Sequence, residues 1–240
     1  MHHKMEINLK KMMIVAPHHD DETIGAGGLI AKYISYGGDA CVVSIFSGES
    51  GIPDLDKEKA QELRNRELHD AAQVLGIKVL KNLKIPDRSS ISSADISKGL
   101  IPLIREYVPD IVLIPHLLER DPEHQIVASA AIEASWLSAS NIFPEYGNPS
   151  KIIKVIMGYE VWTPIQLPQY FEDITDFMDT KQKAIAAYKS QIQQFDWAKI
   201  TKALGTYRAG LAGLGNYAEA YTIYRLSTSL ITGERIRKLD

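Results

Sequence analysis

Five short apolar runs, at 12–16 (MMIVA), 40–46 (ACVVSIF), 78–84, 110–115 (DIVLIP) and 152–158 (IIKVIMG), recur along the chain with longer stretches between them. Continuous apolar runs of this length read as strands buried on both faces, an environment that a parallel sheet covered by helices provides. The intervening stretches near 22–36, 57–75, 94–107 and 122–139 read as helices. Alternation of this kind predicts an α/β chain with right-handed crossovers and helices on both faces of a mostly parallel sheet. With 240 residues the chain can bury a sizeable core without covalent staples, and a single domain spanning 1–240 is expected.

The last third has a different texture. Apolar residues at 177, 178, 184, 185, 188, 192 and 195 fall at helical spacing and predict a helix over 176–195. A second, less regular helical segment follows, and then "GLGNYAEAYTIYRL". This tail is expected to form a helical cover over the sheet.

Composition excludes several partners. Net charge is −3 at pH 7, so neither nucleic acid nor an anionic membrane is expected. No apolar stretch approaches the ~20 residues of a membrane span. The N-terminal "MHHKMEINLKK" lacks an apolar signal core, and His2 and His3 read as terminal residues rather than metal ligands. The single cysteine, Cys41, lies in an apolar run and reads as a buried thiol in a reducing, cytoplasmic setting.

The densest cluster of chemistry is "MMIVAPHHDDETIGAGG" at 12–28, where His18, His19, Asp20, Asp21 and Glu22 follow directly on a buried strand. Open parallel sheets place their sites outside the carboxyl ends of strands. A second polar cluster, "PHLLERDPEH", follows the strand at 110–115, so the two clusters are expected to meet on one edge of the sheet. Three readings of the acidic turn compete. Helix capping accounts for one or two acids through the macrodipole, at about 0.3–1 kcal/mol each, but not for the histidines. A dinucleotide site needs bare backbone amides where carboxylates stand, and Ile30 occupies the place of the third glycine. Gly25, Gly27 and Gly28 then serve close helix–sheet packing. A divalent cation would relieve the repulsion. His18 and Asp21 can supply two ligands and His124 a third, leaving an open coordination position, with Asp20 beside them as a base. Asp121 and Pro122 also suit a helix N-cap and first turn.

At these residues the sequence resembles the PIG-L/LmbE-like zinc deacetylases, which remove N-acyl groups from glucosamine-type sugars. "APHHDDE" is similar to their Ala-His-Pro-Asp-Asp-Glu signature, "FSGESG" (46–51) to a Thr-x-Gly-Glu-x-Gly turn, and "RNREL…AAQVLGI" (64–77) to an Arg-x-x-Glu helix. "IPD" (85–87), "DPEH" (121–124) and the segments "DITDFMDTKQKAIAAYKSQ" and "YAEAY" match further along. The resemblance implies a Rossmann-like α/β/α fold, with His18, Asp21 and His124 as ligands of one Zn2+ per chain. Other divalent metals suit the same ligands. It implies Asp20 as general base activating a water on the metal, and Glu49, Arg64 and Asp87 as substrate contacts, each of which also has a plain reading as a turn cap or helix ion pair. The implied partner is a small amino-sugar substrate, and self-association into a homo-oligomer is compatible with the sequence.

Three departures from the family pattern stand out. His19 replaces a proline and is expected to alter only the turn. Asp121 stands where many members have a histidine proposed to stabilise the oxyanion or protonate the leaving amine, which makes Asp121 the residue to examine for that role. Tyr188 stands in place of another histidine, and His116 closes a strand as a packing residue or a substitute acid. The competing functional readings are a metal-dependent phosphoesterase and a non-catalytic metal- or sugar-binding relative.

Overall fold

The computed structural model describes residues 9–227. Five strands alternate with helices in chain order: β1 (Lys11–Ala16), α1 (Asp21–Ser35), β2 (Asp39–Phe46), α2 (Lys57–Leu75), β3 (Lys78–Ile85), α3 (Ser93–Tyr107), β4 (Ile111–Pro115), α4 (Pro122–Leu137) and β5 (Val155–Tyr159). The tail contributes β6 (Tyr170–Asp173), α5 (Met178–Ile185), α6 (Lys189–Ile192), α7 (Trp197–Ala212) and β7 (Ala218–Leu226). The sheet order is β3-β2-β1-β4-β5-β7-β6, with the first five strands parallel and β7 antiparallel to both its neighbours.

Pleating of β1 divides the core. Met12, Ile14 and Ala16 face one layer with Ile24, Leu29, Leu68 and Ile185, whereas Met13 and Val15 face Ile96, Ile104, Val127 and Ala131. Helices α1, α2 and α5 therefore cover one side and α3 and α4 the other, the three-layer α/β/α arrangement expected from the alternation. Each fully buried Ile, Leu, Met or Val contributes about 1.5–3 kcal/mol. Local signals set the helix ends: Asp56 caps α2 by accepting the Glu58 and Lys59 amides, and Gly76 ends it at φ 74°.

The chain turns outward on both sides of β1. After β1 it builds β2 and β3 on one flank, then jumps to β4 on the other. The carboxyl ends of β1 and β4, paired through Met12–Ile111 and Ile14–Leu113, thus form the topological switch point. Gly25 permits the close approach of α1 at this point, since a Cβ there would lie 2.2 Å from the Tyr159 ring and 2.8 Å from the Glu160 carbonyl oxygen.

Two expectations change. The run at 78–84 is an edge strand rather than one buried on both faces; Lys78, Lys81 and Lys84 are exposed along it, a charged pattern that discourages further strand pairing. The tail is also more than a helical cover. It adds two strands, and its first helix stops at Ile185 instead of running from 176 to 195. Tertiary bonds break the local helical pattern: the Tyr188 hydroxyl donates to buried Glu22, and the Ser190 amide and hydroxyl donate to Glu67 at 2.8 and 2.6 Å. His2 and His3 lie outside the described residues.

Candidate active site

The turn between β1 and α1 presents its side chains at the switch point. Asp20 adopts φ 128° and ψ −27°, a sparsely populated conformation for a residue with a Cβ, of the kind that costs about 1–3 kcal/mol and collects at functional sites. It turns the chain so that Asp21 begins α1, where the helix dipole favours a carboxylate. Asp21 Oδ2 accepts the His18 amide at 2.8 Å and lies 3.4 Å from His18 Nδ1 and 3.3 Å from His124 Nε2. One ligand atom from each of His18, Asp21 and His124 falls within 4.8 Å of the other two. His124 comes from the first turn of α4, where Asp121 caps the helix by accepting the Glu123 amide at 2.9 Å and Pro122 opens it.

The donor set fits a cation. Both ring nitrogens of fully buried His124 lack a hydrogen-bond partner, an expensive state for buried polar atoms, and the geometry aims one of them at Asp21. Burial holds the His124 imidazole below its ordinary pKa, in the neutral form that ligates metals. Burial also opposes charge on His18, but its bonds to Asp21 and Glu123 prevail and raise it to about 10. A cation at this point would take the place of that proton. Two histidines and a carboxylate suit zinc and related divalent ions.

Sequence reasoning missed the residue that fixes His18. Glu123 Oε2 bonds His18 Nε2 at 2.8 Å, leaving Nδ1 on the Asp21 side, an arrangement that orients a metal-ligating ring. Its position in "DPEH" next to His124 was the available signal. Glu123 in turn accepts the Arg88 amide at 2.5 Å.

The other acids of the turn have separate tasks. Glu22 is buried and accepts from Thr23 Oγ1 at 2.6 Å and from Tyr188 Oη, and burial raises its pKa. Tyr188 is thus a core partner of Glu22. Asp20 lines the cleft, with Arg64 Nη2 3.5 Å from Oδ1. Burial pushes its carboxyl well above the ordinary range, against the pull of Arg64. His19 does more than reshape the turn. It is fully buried and its Nε2 meets Asn82 Nδ2 at 2.8 Å, tying the β1–α1 turn to the edge strand β3.

Arg64 and Asp87 line the cleft together with His18, Asp20 and Asp21, but Glu49 and His124 do not. Glu49 accepts from Ser47 Oγ and, at 2.9 Å, from the Asp87 amide, while Asp87 accepts the Gly48 and Ser50 amides at 2.8 and 2.9 Å. Glu49 therefore shapes the β2–α2 loop, and Asp87 both shapes it and faces the cleft. Arg64 donates to the His19 carbonyl at 2.6 Å. Asp121 is held by Arg88 through two parallel bonds of 2.8 Å. Burial opposes its ionisation, yet these bonds lower its carboxyl to about 2, so it carries no proton to donate near neutrality. His116 is buried, with Nε2 2.6 Å from the Thr163 carbonyl oxygen, and acts as a packing residue.

The cleft holds about 250 Å³. Its far wall, unforeseen in the sequence, is aromatic: Trp162 from the loop after β5, Phe195 from the segment leading into α7, and Trp197 at the start of α7.

Comparison with known proteins identifies the family and several similar enzymes. Residues 13–135, half of the chain, match the PIG-L family model, described as GlcNAc-PI de-N-acetylase. The chain is 28% identical over 200 residues to diacetylchitobiose deacetylase of Thermococcus kodakarensis, covering 79% of this chain and 73% of that protein. It is 27% identical over 197 residues to 4-oxalmesaconate hydratase of Pseudomonas putida, covering 76% and 74%. The structure of N,N′-diacetylchitobiose deacetylase from Pyrococcus horikoshii superposes with a TM-score of 0.82 at 28% identity, over 97% of this chain and 88% of that one.

Proposed function

The chain belongs to the PIG-L family, and from that premise we propose that it is a zinc-dependent hydrolase removing an N-acetyl group from an N-acetylglucosamine-type substrate. The observation that carries this reading is the convergence of His18, Asp21 and buried His124, whose ring nitrogens have no hydrogen-bond partner, beside a cleft lined by His18, Asp20 and Asp21. His18, Asp21 and His124 would hold one Zn2+, which supplies Lewis acidity toward an amide carbonyl and toward water.

The remaining work falls to the chain's own side chains. Asp20 accepts one proton from the attacking water as the new C–O bond forms. It returns that proton to the amine nitrogen as the C–N bond breaks, so acetate and free amine leave and the carboxylate ends as it began. Transfer of this type contributes typically about 10²–10⁴-fold. Arg64, fixed to the His19 carbonyl, holds Asp20 in place. Asp121, an anion paired with Arg88, takes no part as an acid, which leaves both proton transfers to Asp20. Glu123 keeps the His18 ring in register.

A second reading, addition of water by a hydratase, draws support from the match to the Pseudomonas putida protein. A two-metal phosphoesterase has less support, since a single metal-binding cluster occurs among the described residues. Acetate and free amine are to be measured across a panel of N-acetylglucosamine derivatives, with and without chelator. The expected result is equimolar acetate and amine, abolished by chelation and restored by Zn2+. No acetate from this panel, together with hydration of an unsaturated carboxylic acid assayed in parallel, would select the hydratase, and binding without turnover a non-catalytic relative.

A further inference from the structure

The aromatic wall is built rather than incidental. Trp162 and Trp197 pack edge to face with centroids 4.7 Å apart, and Phe195 meets Trp162 at 5.1 Å and 76°. Buried Glu119 accepts the backbone amides of Val161, Trp162 and Thr163 at 2.9–3.1 Å, fixing the loop that carries Trp162. On the other side Gln194 donates to the Gly51 carbonyl at 2.6 Å and holds the segment carrying Phe195 against the β2–α2 loop. Trp197 is buried, yet Phe195 remains 45% exposed. A large apolar ring left open on a cleft suits an apolar ligand surface.

The rest of the lining limits what that ligand can be. Five acidic side chains face the cleft against two guanidinium groups. Arg88 is committed to Asp121 and Arg64 to the His19 carbonyl, beside Asp20. A phosphate or carboxylate on the substrate would meet carboxylates and compete with Asp121 for Arg88, while the partnerless Nε of Arg64 is buried. A pyranose ring has the opposite character: one face of C–H bonds for an aromatic wall, and equatorial hydroxyls for polar lining groups such as Asp87 and exposed Ser50.

We propose that Phe195, supported by Trp162 and Trp197, is a specificity-determining platform for a second, uncharged sugar ring joined to the reacting N-acetylglucosamine. This inference rests on the deacetylase reading above. The wall binds ground state and transition state alike, so its loss raises KM and leaves kcat nearly unchanged.

The experiment compares Phe195→Ala and Phe195→Trp with the parent holoprotein on N,N′-diacetylchitobiose, N-acetylglucosamine and N-acetylglucosamine 1-phosphate. Phe195→Ala is expected to raise KM for the disaccharide about fivefold and to leave KM for the monosaccharide within about twofold, with Phe195→Trp restoring the disaccharide value. The parent is expected to use the disaccharide better than the phosphorylated sugar. Disaccharide binding is followed separately by tryptophan fluorescence in Asp20→Asn protein, with and without Phe195→Ala. An equal effect on mono- and disaccharide, or a preference for the phosphorylated sugar, overturns the platform while the deacetylase reading stands. If no substrate releases acetate, the deacetylase reading falls; disaccharide binding that Phe195→Ala leaves unweakened overturns the platform by itself.

Discussion

The parallel half of the sheet and the tail solve the burial of charge in opposite ways. In the parallel half, the ionisable groups at the switch point are left incompletely satisfied: His124 has no hydrogen-bond partner and Asp20 is held in an unfavourable backbone conformation. In the tail, each buried charge is closed off. Glu219 on β7 accepts the Gly28 and Leu29 amides at 2.8 Å, the Lys181 ammonium at 2.6 Å and the Tyr221 hydroxyl at 2.7 Å. Glu160 pairs with Arg208 and accepts the Ile165 amide at 2.6 Å. Unsatisfied polar groups mark where chemistry is expected, and saturated ones mark structure. The saturated network also supports the site, since Glu219 grips the helix whose first residue is Asp21.

Substitution on the two sides should separate activity from stability. Asp20→Asn is expected to keep its metal but lose about 10²–10⁴-fold in turnover, whereas His124→Ala loses the metal itself; metal analysis and kcat of the purified proteins check both. Near-normal turnover in Asp20→Asn would remove Asp20 from the proton path and erase the contrast. Lys181→Met should do the reverse. By removing the cation paired with the buried Glu219 carboxylate it is expected to cost about 3–5 kcal/mol of stability in urea titrations, with kcat of the remaining folded protein close to that of the parent.

Glu123→Gln tests the boundary between the two regimes, because Glu123 is saturated yet bonds His18, a proposed metal ligand. Its loss should weaken metal affinity by about 10–100-fold, measured by competition with a chromophoric chelator. The smallest effect concerns Arg88 and Asp121. Because Asp121 titrates at about 2 instead of 3.8, its contribution is complete above pH 4 and disappears as pH falls toward 2. Arg88→Gln should flatten that acid limb by less than ~1 kcal/mol, since the guanidinium is largely exposed. Urea midpoints between pH 2 and 5 provide the measurement.

What could be read from the chain follows the range of the interactions involved. The five strands, their intervening helices and the cap at Asp121 are local consequences of side-chain period and backbone preference, so they were visible in sequence, whereas the exposure of β3 was not. The cluster at His18–Glu22, the fate of His124 and the expectation that both would meet on one sheet edge also came from the chain alone, because the parallel topology fixes which strand ends are neighbours.

Tertiary structure decided the rest. Only the fold could assign Glu22 to Tyr188, Glu123 to His18 and Arg88 to Asp121, since each of these bonds joins residues at least 33 positions apart. It likewise broke the helical pattern at Tyr188, threaded β7 between β5 and β6, and set Trp162, Phe195 and Trp197 side by side. A residue's type states what it can bond, but burial and long-range packing select which of those bonds is made.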